Sequence, residues 1–95
     1  MNISALHTEQ KGVSTAKLFS HESGSALAMQ ILAGEQLKEH ITKTPALLLC
    51  ISGQVIFKNE KGIKETLLSG DYVEIEPMVK HWVNGIGISQ LVLLK

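Results

Sequence analysis

The apolar runs of this chain are all short, and each is closed by turn-forming residues: His21-Glu22-Ser23-Gly24-Ser25, Gly34, Thr44-Pro45, Ser52-Gly53, Asn59-Glu60-Lys61-Gly62, Ser69-Gly70-Asp71, Pro77 and Asn84-Gly85-Ile86-Gly87. Turn signals recurring at intervals of roughly 8–12 residues between short strands argue for an all-β sandwich or barrel. The spacing predicts strands over Thr15–Ser20, Ala26–Leu32, Leu37–Thr42, Ala46–Ile51, Gln54–Lys58, Ile63–Leu68, Tyr72–Ile75, Lys80–Val83 and Ile88–Leu94. Ala26–Lys38 also admits a helix, because Leu27, Ile31 and Leu32 fall at helical spacing. Gly34 decides for two strands, since a mid-helix glycine costs about 1 kcal/mol relative to alanine, whereas between strands it serves as a turn residue. Met1–Val13 has no clear period and reads as a loosely held arm or an edge segment.

Ninety-five residues support one core and therefore one domain, and a 44% hydrophobic content lets that core form without disulfides or metal clips. Nine basic and nine acidic side chains cancel and are scattered, so the chain carries no electrostatic footprint for nucleic acid or an anionic membrane. A single cysteine, Cys50, excludes an internal disulfide framework and cysteine-based zinc clusters, and it fits a reducing compartment. Met1–Leu18 lacks a basic start followed by a continuous apolar run, and no stretch approaches the ~20 apolar residues of a membrane span. The expectation is a cytoplasmic protein.

Two stretches then stand out, Gly34–Gly53 and Gly70–Asn84, because together they resemble the two motifs of the cupin family, small jelly-roll β-barrels whose sites lie between facing strands. The first motif runs Gly, five residues, His, one residue, His, three or four residues, Glu, six residues, Gly. Gly34, His40 and Gly53 stand at these spacings, with Thr42 in place of the second histidine and Ala46 in place of the glutamate. In the second motif Gly70-Asp71, Ile75, His81 and Asn84 match in order, while Glu76 takes the first proline position beside Pro77 and Met78 replaces a glycine. The resemblance implies a single cupin-type jelly-roll β-barrel over residues 1–95. Residues 1–24 form an arm and first strand, and 25–95 the patterned barrel.

Metal-binding cupins hold a divalent ion with two histidines, a glutamate and a later histidine. Of these four, the chain keeps His40 and His81. Two imidazoles suit zinc, iron, manganese or nickel, but a protein site ordinarily supplies about three ligands, so the resemblance implies metal binding that is weak or lost. Glu39 alternates away from His40, which leaves Glu76 as the more credible carboxylate. His40 and Thr42 are expected on one face of their strand, with Leu37, Glu39 and Ile41 on the other. Ala46, Leu48 and Cys50 occupy the face that the motif glutamate would use, and Leu47, Leu49 and Ile51 the opposite one.

The first functional expectation is therefore a non-enzymatic or weakly metallated, homodimeric barrel that binds a small organic ligand in an apolar pocket formed by His40, Thr42, Ala46, Leu48, Cys50 and His81. The second is a metal-dependent enzyme of the dioxygenase or isomerase type that uses His40, His81 and a nonstandard third ligand. The third is a structural or regulatory domain with a filled barrel. Cys50 as a nucleophile has no supporting context. Trp82 is expected to face opposite to His81, on the outside, where it suits a dimer interface or packing against the arm. His7 and His21 sit in polar surroundings and are expected to be solvated.

Overall fold

The computed structural model describes all 95 residues. A short 3-10 helix, Ile3–Leu6, is followed by nine strands: β1 (Val13–His21), β2 (Gly24–Ile31), β3 (Gln36–His40), β4 (Ala46–Ser52), β5 (Val55–Asn59), β6 (Lys64–Leu67), β7 (Tyr72–Ile75), β8 (His81–Gly85) and β9 (Ser89–Leu94). They form two antiparallel sheets, one ordered β1-β2-β9-β4-β7 and the other β3-β8-β5-β6. No helix is long and apolar enough to cross a membrane.

The turns explain the strand ends. Gly62 adopts φ +89°, and the Asn59 carboxamide oxygen accepts from the Lys61 and Ile63 amides at 2.9 and 3.1 Å, closing the β5–β6 hairpin. At the β6–β7 turn Asp71 Oδ2 accepts from the Leu68 amide at 2.8 Å around Gly70, which has φ +90°. The Gly-Asp pair of the second motif therefore has a structural role. The turn predicted over Asn84–Gly87 begins later, because Asn84 and Gly85 still belong to β8. Gly85 is buried where a Cβ would lie 2.6 Å from both Ile31 Cγ2 and the Leu32 carbonyl oxygen.

Alternate residues of the two sheets meet in one core cluster that includes Met29, Ile31, Leu48, Cys50, Val55, Phe57, Val83 and Leu91. Ala46, Leu48 and Cys50 point inward as expected, with Leu47, Leu49 and Ile51 outside. The predicted alternation fails in β3. Its register with β8 shifts between Leu37 and His40, so that Leu37 lies opposite Val83 and His40 opposite His81. Leu37 packs against the core from the same strand whose bulge carries His40 to its partner.

The arm is held more firmly than its composition suggests. His7 Nδ1 lies 2.8 Å from Ser14 Oγ, and the His7 Nε2 is buried without a partner, so His7 is not the solvated side chain expected. Burial lowers its pKa below the ordinary 6.5. His21 is exposed as expected.

Candidate functional site

The bulge in β3 and the regular alternation of β8 bring the two motif histidines together at one end of the barrel. Their ring centroids are 4.2 Å apart and the rings cross at 60°, edge to face. His81 shares the inward face of β8 with Val83 and Gly85 and is 2% exposed. Its ring stacks on Phe57, with centroids 5.6 Å apart and planes inclined by 26°. Trp82 and Asn84 face outward, and Asn84 Oδ1 accepts from Gln36 Nε2 at 2.8 Å, so the motif asparagine ties β3 to β8.

The two imidazoles differ in their protons. His40 Nδ1 lies 3.0 Å from the Lys38 carbonyl oxygen, which can only accept, so Nδ1 carries the hydrogen and neutral His40 presents a bare Nε2. His40 is half-buried, and His81 is enclosed. Burial, and secondarily the neighbouring His40, push the His81 pKa below 6.5, and the Val79 backbone offsets only part of this. His81 Nδ1 makes no hydrogen bond of ordinary geometry.

Thr42 lies just beyond β3. Its carbonyl accepts from the Met78 amide at 2.8 Å, joining the link after β3 to the turn before β8, and its hydroxyl is buried without a partner. Met78 has φ +64°, and it is the one non-glycine residue in the left-handed region. Its side chain is 62% exposed, and Ile41 is also exposed. A glycine stands at the Met78 position in the motif that the sequence resembles, and the backbone keeps a glycine-like conformation there.

The other residues named from sequence are positioned differently. Ala46, Leu48 and Cys50 are buried members of the core cluster. Cys50 Sγ lies 3.5 Å from the Ser52 carbonyl oxygen, and burial pushes its pKa up, the opposite of an activated thiol. Glu39 points away and lies 3.9 Å from Lys80. Glu76, expected to be the more credible carboxylate, is an exposed partner of Lys61 at 2.8 Å and does not join the histidines. No three His, Cys, Asp or Glu side chains come together as a metal-holding group. The donor set is two imidazoles with a threonine and an alanine at the remaining motif positions, one ligand short of an ordinary resident metal centre.

The large open concavity of the molecule, about 860 Å3, lies elsewhere. It is bounded by Phe19 and His21 on the β1–β2 tip, Leu47, Leu94, and Glu74 and Glu76 at the end of β7. Sequence reasoning missed both this concavity and the β3 bulge. The first depends on how the strand ends splay, and the second on a register that alternation alone does not encode.

No sequence-family model matches the chain, and no curated protein sequence does. Its three-dimensional structure does match solved ones. A cupin superfamily protein from Desulfitobacterium hafniense superposes with a TM-score of 0.85 at 16% identity, covering 98% of this chain and 84% of that one. An RmlC-like cupin family protein with a double-stranded β-helix fold, from Methanocaldococcus jannaschii, gives 0.78 at 20% identity over 94% and 84%. A cupin-2 domain containing protein from Shewanella frigidimarina gives 0.79 at 12% identity over 98% and 86%.

Proposed function

We propose that this chain, which has the cupin fold with a degenerate metal motif, is a non-enzymatic binding module that anchors a small organic ligand at the His40–His81 end of its barrel. The observation that carries this reading is the set of polar atoms left without partners there. His40 Nε2 is bare, the Thr42 hydroxyl is buried without a partner, and the enclosed His81 ring has only a weak contact with the Val79 backbone. Buried polar groups are rarely left unpaired, because each unmade hydrogen bond costs roughly 1–3 kcal/mol.

The ligand class follows from the chemistry. A carboxylic acid, phenol or alcohol supplies the proton that His40 Nε2 accepts, and its oxygen can accept from the Thr42 hydroxyl. Ile41 and Met78 give the rim an apolar surface for the ligand's body. Ala46, Leu48 and Cys50 are packed into the core, so the ligand lies at the mouth of the barrel rather than inside it.

The test is a titration of isotope-labelled protein with a library of small carboxylic acids, phenols and alcohols, read by NMR. The expected result is a saturable perturbation of His40, Thr42, Met78 and His81 by at least one member, abolished in His40→Ala. Perturbations confined to the outer concavity, or none at all, would overturn the reading.

A second reading, a metal-dependent cupin enzyme, is favoured by one feature. The Nδ1–H of His40 is fixed by a backbone carbonyl, the arrangement that orients metal-ligating histidines. It needs zinc, iron, manganese or nickel and a third ligand from outside the group described. Elemental analysis of protein purified without chelators or a metal column separates the two readings.

A further inference from the structure

We infer that Asn84-Gly85 is a deamidation site which the native fold holds silent, and that it reacts only when the edge strand β3 opens from β8. The chain contains a single Asn-Gly dipeptide, the pair in which this self-modification meets least hindrance, because glycine has no Cβ to shield its own amide nitrogen. Asn-Gly ordinarily marks a turn. Packing places it in a strand here. Gly85 fills a buried position where a Cβ would meet Ile31 and the Leu32 carbonyl oxygen, and Asn84 is the residue that ties β8 to β3 through Gln36.

Water is the only co-reactant. The Gly85 nitrogen, having lost its proton to solvent, attacks the side-chain carbonyl carbon of Asn84. A C–N bond forms, the Cγ–Nδ2 bond breaks, and the amide nitrogen leaves as ammonia with a proton taken from water. A water molecule then adds to either carbonyl of the cyclic imide and opens it to aspartate or isoaspartate. Nothing is oxidised or reduced, and the net change is water consumed for ammonia released.

The native structure blocks the first of these bonds. Ring closure needs rotation about the Asn84 Cα–C bond, away from the extended value near +135° that antiparallel strands keep. That rotation swings the Asn84-Gly85 peptide out of the ladder, where the Gly85 amide donates to the Glu35 carbonyl at 2.8 Å and the Gly85 carbonyl accepts from the Gly34 amide at 2.9 Å. The Asn84 carboxamide is held as well, its Oδ1 accepting from Gln36 Nε2 at 2.8 Å. Gly34, Glu35 and Gln36 form one stretch leading into β3, and β3 is an edge of its sheet. Opening of β3 therefore frees the nucleophile and the carboxamide together, with β5 and β6 still paired.

Conversion to isoaspartate is permanent. It routes the backbone through the side chain and adds a carbon to β8 at the position paired with Gln36 and Ile56. The strand from there to His81 then falls out of register with β3, so a chain that has opened and reacted loses the geometry that sets His81 against His40.

The experiment incubates the full chain in mildly alkaline buffer, natively and in unfolding urea, and follows Asn84 by peptide mass mapping and enzymatic isoaspartyl methylation. Asn59-Glu60 is the internal reference, and circular dichroism verifies folding. In urea Asn84 is expected to convert well ahead of Asn59. Natively it is expected to convert roughly tenfold or more slowly than in urea, in proportion to the small open fraction. Gln36→Ala, which removes one bond of the clamp, is expected to raise the native rate roughly two- to tenfold and to leave the urea rate unchanged. Gly62→Ala, which weakens the β5–β6 hairpin instead, is expected to leave the native rate unchanged. A native rate equal to that in urea, no excess over Asn59 in urea, no native acceleration in Gln36→Ala, or equal acceleration in Gly62→Ala would each overturn the inference. If Gln36→Ala fails to fold, amide exchange in the wild type decides. The Gly85 amide is then expected to exchange faster than the amides of β5, an interior strand of the same sheet, and exchange no faster than theirs overturns the inference.

Discussion

His40 on β3 and His81 on β8 are direct cross-strand partners, edge to face at 4.2 Å, although regular alternation from Leu37 would have sent His40 to the outside. The β3 bulge creates this pair, and the unpaired donors and acceptors around it carry the functional reading. Bulges concentrate at sites where a side chain must be re-aimed.

The buried His81 makes stability depend on pH. Its folded pKa lies below 6.5, so between the folded and unfolded values the unfolded chain binds more protons than the native one. Stability is therefore complete above about pH 6.5 and falls as pH drops below it. His7, shifted the same way by burial, adds to the slope. Urea unfolding between pH 5 and 8 is expected to show this fall, and His81→Phe, which keeps a ring against Phe57, to flatten it. An unchanged slope in His81→Phe would show that His81 is not the group responsible.

Met78 tests whether the strained turn belongs to the site. Left-handed backbone costs a non-glycine residue about 1–2 kcal/mol, and the greater freedom of an unfolded glycine returns roughly 0.4–1 kcal/mol of that. Met78→Gly is thus expected to stabilise the fold by roughly 0.5–1 kcal/mol in denaturant titrations. The same variant is expected to weaken binding of any ligand found at His40, because it removes the exposed side chain from the rim.

Two positive-φ glycines separate conformation from packing. Gly62 has φ +89° with open space where a Cβ would sit, so Gly62→Ala is expected to cost about 1 kcal/mol. Gly53 has φ +91°, and a Cβ there runs into the Ile88 carbonyl oxygen and the Ser89 hydroxyl that also binds Gln54. Gly53→Ala is expected to cost at least 2 kcal/mol, since it disrupts that contact as well as the backbone. Equal losses at the two positions would contradict the packing around Ser89.

The donor set predicts how the protein responds to metals. With two imidazoles and no adjoining carboxylate, protein purified without chelators is expected to carry only trace transition metal. Zinc, iron, manganese or nickel added during reconstitution is expected to wash out on gel filtration. One retained equivalent, lost in His40→Ala, would favour the enzyme reading.

Much of the fold was legible in the sequence because turn chemistry is local. Asn59, Gly62, Gly70 and Asp71 closed turns where their side chains and backbone freedom required, and the inward set Ala46, Leu48 and Cys50 followed from simple alternation. The site was legible as two histidines but not as a geometry. Nothing local marks the register shift between Leu37 and His40, the Lys61 pairing that removes Glu76, or the burial of His7 against Ser14. Each of these depends on which strand or loop the fold brings alongside.

Ligand anchoring by His40 is tested most directly by a crystal structure of the protein soaked with the tightest-binding acid, phenol or alcohol from the titration. Ligand density is expected with an oxygen within hydrogen-bond reach of His40 Nε2, about 2.6–3.2 Å, and the ligand body against Ile41 and Met78. Density only in the concavity beside Phe19 and Glu74, or a metal ion between His40 and His81 with a recruited third ligand, would contradict it.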